Sequence, residues 1–204
     1  ALLPEEQLLS WGWRIPFLLS GVLTVIAYLL RRKLDETESF SDMRSKGDRA
    51  KLPIAVLLKD HWRTVLRVLF LSSINIVGTL FNVFVLAYGT GNGIPSAVML
   101  AVVTLANLTA VIAAPLIGLL SDRWGRRPVF LIGVVGAAAC MMLLFTSIDA
   151  QNIAGVFAAG IIGIGVFYCM PITVGATWYP EQFPTTVRYT GMAVGLMLGI
   201  LLAG

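Results

Sequence analysis

Residues 97–148 read AVMLAVVTLANLTAVIAAPLIGLLSDRWGRRPVFLIGVVGAAACMMLLFTSI. Two uncharged apolar runs, Ala97–Leu120 and Val129–Ile148, flank a short turn that carries Asp122, Arg123, Arg126 and Arg127. The hydrocarbon core of a bilayer is about 30 Å thick and is crossed by about 20 helical residues, a length that each run meets. Backbone in hydrocarbon must satisfy its own hydrogen bonds, and these runs are too long for tilted barrel strands, so both are helices. The stretch is a transmembrane helical hairpin, and the rest of the chain is read outward from it.

Four more apolar stretches occur on either side: Ile15–Leu30, Val65–Tyr88, Ile153–Trp178 and Tyr189–Gly204. Apart from Arg67 near the start of the second of these, the six stretches carry no Asp, Glu, Lys, Arg or His. The first is short and is extended by Trp11 and Trp13, rings that favour the membrane–water interface. Over the whole 204 residues, 57% are hydrophobic and only 13% charged. A soluble domain carries about 25% charged residues because its surface must face water. This composition excludes a soluble globule, a disordered chain and a disulfide scaffold. Cys140 and Cys169 both fall inside apolar runs and read as small buried residues. The fold class is all-α: a polytopic membrane protein with six transmembrane helices.

Charge then orients the chain. Residues 31–67 hold ten of the fifteen basic residues, residues 121–128 hold Arg123, Arg126 and Arg127, and the 179–188 loop holds Arg188. The intervening loops, 89–96 and 149–152, hold none. Basic loops stay in the cytoplasm, so loops 31–67, 121–128 and 179–188 are expected there, in a bacterial plasma (inner) membrane. The net charge of +4 is thus explained by topology without invoking nucleic acid. The first span enters from outside, and the chain opens Ala-Leu-Leu-Pro-Glu-Glu with no basic leader. It therefore reads as a piece of a longer protein, with an odd number of helices before it. Within the long loop, residues 35–51 read as a solvated linker. Pro53 suits the first position of an interfacial helix, with Ile54, Leu57 and Leu58 on the membrane and Lys59, Asp60 and Arg63 in water. His61, beside Trp62, fits either an interfacial anchor or a proton relay.

The hairpin turn is the most specific motif: Gly118-Leu-Leu-Ser-Asp122-Arg123-Trp-Gly125-Arg126-Arg127-Pro128. Gly118 is expected to let neighbouring helices approach, and Gly125 to permit a tight turn at positive φ. Asp122 can accept hydrogen bonds from a helix N-terminus, where its charge is favoured. Arg123, Arg126 and Arg127 offer fork-shaped donors to carboxylates or lipid phosphates. A turn that only fixed orientation would need basic residues but not this ordered spacing.

At these residues the chain resembles the major facilitator superfamily, whose loop signature G-x-x-x-D-R-x-G-R-R recurs between its second and third and its eighth and ninth helices. The long basic loop two spans upstream looks like that superfamily's central loop, which selects the second occurrence. The resemblance implies helices six to eleven of a twelve-helix fold: residues 1–30 end the N-terminal half, 31–64 form the central loop, and 65–204 supply five helices of the C-terminal half. Trp11-Gly-Trp-Arg-Ile-Pro-Phe-Leu-Leu-Ser20, Arg31-Arg-Lys-Leu-Asp-Glu-Thr37 and Pro180-Glu-Gln-Phe-Pro-Thr-Thr-Val-Arg-Tyr-Thr-Gly191 are similar to the metabolite:proton symporters, which take up organic acids, shikimate-like compounds, proline or betaine. The resemblance further implies a cytoplasmic gate at Asp122 and Arg123, supported by Arg126 and Arg127, with Glu181 and Arg188 as partners. No cofactor is implied beyond protons as coupling ion. The implied partners are a small-molecule substrate, the lipid bilayer and the N-terminal half.

Ser72, Asn75, Thr79 and Asn82 are spaced three, four and three residues apart, which stacks them on one face of a regular helix. They read either as a wall of a central cavity or as interhelical hydrogen-bond glue, as does Asn107 in the next span. Tyr88 reads as an interfacial belt residue. Gly191, Gly195 and Gly199, and likewise Gly155, Ala159 and Gly163, form small-residue stripes for close helix packing. The spans offer no acid–base pair or nucleophile–base constellation, so an enzyme is not expected. The expected function is secondary active transport by alternating access. A proton-independent facilitator and a truncated, non-transporting membrane fragment are the alternatives.

Overall fold

The computed structural model describes residues 7, 10–33 and 53–203. The 35–51 linker lies outside them. The chain divides into two units, Ala1–Asp48 and Arg49–Gly204. The first contributes a 3₁₀ turn, Gly12–Arg14, and helix α1, Ile15–Lys33, whose apolar stretch is Phe17–Leu30. Phe17, Leu18, Leu23 and Leu30 on α1 are exposed.

The second unit is a helical bundle. After α2, Pro53–Asp60, come α3, Trp62–Gly91; α4, Ser96–Trp124; α5, Arg126–Asp149; α6, Ile153–Glu181; and α7, Arg188–Ala203. Helices α3 to α6 are long and apolar enough to cross a membrane. The two other expected spans appear as shorter apolar helices, Phe17–Leu30 and Arg188–Leu202. Helix α3 starts a turn earlier than the apolar run, at Trp62, because Arg63 and Arg67 can lie along the helix and carry their charges to the interface. Bulky apolar side chains on the outer faces, among them Val111, Ile112, Val135 and Met142, are exposed, as a lipid-facing surface requires.

Two helices depart from a regular α-helix. In α3 the ladder is interrupted at Ser73–Ile74, where Ile76 N and Val77 N donate to Ser73 O and Ile74 O, and Leu80–Val85 then winds as a π turn. In α6 the π turn is Gly163–Tyr168. A freed carbonyl in hydrocarbon costs several kcal/mol unless satisfied, and here side chains satisfy it. The Tyr179 hydroxyl donates to Leu71 O at 3.0 Å, and Asn75 Nδ2 donates to Ser72 O at 2.7 Å.

The core forms two clusters, one at each end of the bundle. Near the Gly125 turn, Val68, Phe130, Tyr179 and Phe183 pack together; at the other end Phe81, Met99, Val102 and Leu144 do so. Leu57 of α2 is fully buried in the first cluster, while Ile54 and Leu58 are exposed, so α2 turns Leu57 into protein rather than onto a membrane. Apolar surface gains little by leaving lipid for protein, so helix association rests on close packing and interhelical hydrogen bonds. The glycine stripes serve that packing. A Cβ at Gly195 would lie 2.8 Å from Val68, and one at Gly199 would meet Ser72 Oγ and sit 2.6 Å from Leu69 O, so α7 rides directly on the first turns of α3. Gly155 and Gly163 likewise abut Ser147 and Cys140 of α5. Gly118 differs: a Cβ there would meet nothing within 4 Å, so this glycine admits no neighbour among the described residues.

Candidate gate and solute-facing residues

Gly125 ends α4 and begins α5 with φ 93° and ψ 158°, a conformation that L side chains rarely adopt. Its N–H closes α4 by donating to Ser121 O at 2.9 Å. This sharp corner sets Arg126, in the first turn of α5, opposite Asp122, in the last turn of α4. Arg126 Nη1 donates to Asp122 Oδ1 at 3.0 Å. The other edge of the guanidinium grips Glu181, the last residue of α6, through Nη2–Oε1 at 3.0 Å and Nε–Oε2 at 3.4 Å. Three helix ends are thus tied by one arginine, in the bidentate geometry that makes such pairs strongest.

Asp122 was expected to accept hydrogen bonds from a helix N-terminus; among the described residues its donor is the side chain of Arg126, in the first turn of α5. Asp122 itself lies in the last turn of α4, where negative charge opposes the helix dipole, and Arg126 supplies the compensation. The side chain of Asp122 is 64% exposed and that of Glu181 is 51%. Solvent screening at that exposure limits each pair to about 1 kcal/mol. The tie is therefore weak enough to open and reform.

Three expected gate residues lie outside this cluster. Arg123 is exposed in the last turn of α4, where a cation favours the dipole. Arg127 pairs with neither Asp122 nor Glu181 among the described residues and lines a separate cavity with Arg67, Trp178 and Gln182. Arg188 donates to Phe183 O at 3.3 Å, closing the 182–187 link rather than pairing with Glu181. Ser121 joins the cluster without having been expected there: it is buried, and its Oγ lies 3.4 Å from Arg126 Nη1. Its position beside Asp122 was the available signal.

The four polar residues of α3 do not share one face, because the break at Ser73–Ile74 and the π turn rephase the helix. Ser72 is buried against α7, donating to Leu69 O at 3.0 Å and lying 3.3 Å from Gly195 O. Asn75 caps the helix break, and its carbonyl accepts from the Tyr168 hydroxyl at 3.4 Å. Thr79 and Asn82 are exposed. Asn82 lines a recess of about 540 Å³ together with Thr90 and Ser96. Asn82 and Asn107 each donate Nδ2 to the carbonyl four residues back, Gly78 O at 2.7 Å and Val103 O at 2.8 Å. Among the described residues no donor reaches either Oδ1. At the far end, the Tyr88 hydroxyl donates to Asp149 Oδ1 at 2.8 Å, and Gln151 Nε2 donates to Asn92 O at 2.6 Å. Tyr88 is therefore an interhelical tie, which its position near the interface did not announce.

A bundle of apolar helices with its charges held at the helix ends defines an integral membrane protein. Residues 78–204 match the family model described as Major Facilitator Superfamily, and the chain belongs to that family. It is 30% identical over 213 residues to a proline/betaine transporter of Salmonella typhimurium, covering 98% of this chain and 42% of that protein. It is 30% identical over 205 residues to the shikimate transporter of Escherichia coli strain K12, covering 98% and 47%. The inner membrane metabolite transport protein YhjE of the same strain is 31% identical over 204 residues, covering 93% and 44%. The chain thus spans less than half the length of these curated relatives. No solved structure matches it significantly.

Proposed function

We propose that this chain is part of a secondary active transporter that moves a small polar metabolite, such as an organic acid, proline, betaine or a shikimate-like compound, by proton-coupled alternating access. The relatives' names supply the substrate classes, and one geometric feature carries the mechanism. Arg126 ties α4, α5 and α6 at one end, while Asp122, held by one donor among the described residues, keeps acceptor capacity for a cation from outside these helices. Such a residue biases two conformations if its second partner engages in one of them and not in the other. In this reading Asp122 and Arg123 contact the N-terminal half when the cavity faces outward, and Arg126 with Glu181 holds their platform rigid. Asn82 and Asn107, with open carbonyl oxygens, are solute-facing; Ser72, Asn75 and Thr79 shape or hold that wall. Loops 31–67, 121–128 and 179–188 lie in the cytoplasm, and the protein resides in the inner membrane.

Uptake of labelled proline, betaine or shikimate by the full-length transporter tests the proposal. Asp122→Asn is expected to lower uptake with insertion unchanged, and wild-type uptake by correctly inserted mutant would refute the gate. A second reading, proton-independent facilitation, is favoured by one observation: among the described residues the carboxylates near the spans, Asp122, Asp149 and Glu181, all sit at helix ends. Coupling needs a titratable group that senses both sides. Uptake insensitive to a proton-dissipating agent selects this second reading.

A further inference from the structure

We propose that the cavity of about 450 Å³ lined by Arg67, Phe70, Leu71, Arg127, Trp178 and Gln182 binds a phosphate oxyanion, borne by an anionic phospholipid headgroup or free in solution. Three helices meet there: α3 brings Arg67, α5 brings Arg127, and the end of α6 brings Trp178, with Gln182 following it. Among the described residues neither arginine has a carboxylate partner, although Arg126, adjacent to Arg127, takes both Asp122 and Glu181. Gln182 Nε2 is buried with no acceptor. The donors that face the cavity are therefore the exposed guanidiniums of Arg67 and Arg127, from α3 and α5, while Gln182 Nε2 is shielded behind the lining. Guanidinium forks match a phosphate's several oxygens, and an anion of that class satisfies donors arriving from different directions.

The apolar part of the lining says what else the site holds. Phe70 is 73% exposed, and Trp178 is held edge-on by Phe130 with ring centroids 5.5 Å apart. A fixed aromatic wall beside two cations suits the junction of headgroup and acyl chain, where juxtamembrane arginines recognise anionic lipid. The site lies at the Gly125 end of the bundle, so the leaflet that supplies the lipid rests on the orientation proposed above. The binding itself uses only the membrane embedding of these helices and no step of transport.

The test uses the full-length protein in a non-ionic detergent, with three probes: phosphatidylglycerol, phosphatidylcholine and inorganic phosphate. Retention is read by native mass spectrometry and protection by the thermal unfolding midpoint. Phosphatidylglycerol is expected to bind in preference to phosphatidylcholine. Arg67→Gln with Arg127→Gln should weaken that binding about 30-fold, taking each juxtamembrane arginine at its usual worth. Lys59→Gln with Arg63→Gln removes the same charge from exposed positions outside the cavity and should change binding little. If the first pair fails to fold, Arg127→Lys, which keeps the charge but not the guanidinium fork, should lower the affinity severalfold. Protection by inorganic phosphate alone, lost in the cavity variants, assigns the site to a soluble anion; protection by phosphatidylglycerol alone assigns it to lipid. Equal loss in both double variants, or wild-type protein that responds to neither probe, overturns the proposal. Because no uptake is measured, either result is independent of whether the protein transports.

Discussion

Tyr179→Phe removes one oxygen atom and tests how α3 survives its own interruption. The ring is 5% exposed and its hydroxyl donates to Leu71 O at 3.0 Å, across from α6 to α3. Leu71 O sits on the turn that precedes the Ser73–Ile74 break, where the regular ladder stops. Phenylalanine keeps the packing against Val68 and Phe183 in the same cluster, so no cavity is made and the change is confined to one hydrogen bond. Interhelical bonds in membranes are worth about 0.6 kcal/mol on average and up to about 1.7. Leaving the carbonyl buried without a partner adds a desolvation cost of about 1–3 kcal/mol. A loss of about 1–2 kcal/mol is expected, since the backbone can relax by restoring a regular turn through Ile74. Reversible unfolding in mixed micelles, with mixed fractions of a denaturing detergent, measures the free energy. Hydrogen exchange at residues 74–77 reports the relaxation. Unchanged stability together with unchanged exchange would refute the account, because the freed carbonyl would then have needed no partner.

Gly125→Ala forces a side chain into φ 93° and should destabilise the hairpin by about 1–3 kcal/mol, read by the same unfolding assay. Gly199→Ala should be worse tolerated than its size suggests, because the new methyl meets Ser72 Oγ and the Leu69 carbonyl; thermal unfolding and cross-linking between α3 and α7 should both show the helices separating. Gly118→Ala, by contrast, meets nothing within 4 Å and should leave stability unchanged or raise it by up to about 1 kcal/mol through helix propensity. A large loss there would mean that a neighbour packs on α4 at that turn.

Apolar run length and the charge of each loop made the helical hairpin legible, because hydrocarbon imposes one backbone solution. The glycine stripes were legible for the same reason: only a missing Cβ lets α7 sit against Leu69 O and Ser72. What escaped was phase. A row at Ser72, Asn75, Thr79 and Asn82 holds one face only if every residue turns the helix by the same amount, and the break at Ser73–Ile74 and the π turn at Leu80–Val85 abolish that condition. Neither Gly nor Pro marks the break; the local cue is the Ser72-Ser73 pair, whose hydroxyls both donate back to Leu69 O. The partners inside the gate cluster were hidden too. Glu181 and Arg188 lie close in sequence, but α6 ends facing Arg126, and the 182–187 link claims Arg188 for its own carbonyl. Gly118 shows the converse: the motif marked it for close packing, yet no neighbour among the described residues meets it.

The irregular turns are unevenly shared. Helices α3 and α6 each contain a π segment, whereas α4 and α5 run as uninterrupted α-helices, α4 lacking one ladder donor at Pro115. Mechanical compliance is thereby concentrated in one pair of rods and withheld from the other. Arg126 joins α4 to α5 at one end, the Tyr88–Asp149 bond joins α5 to α3 at the other, and α3 can flex at its break, where carbonyls already look to side chains for partners. Bending there exchanges partners without exposing bare backbone to lipid.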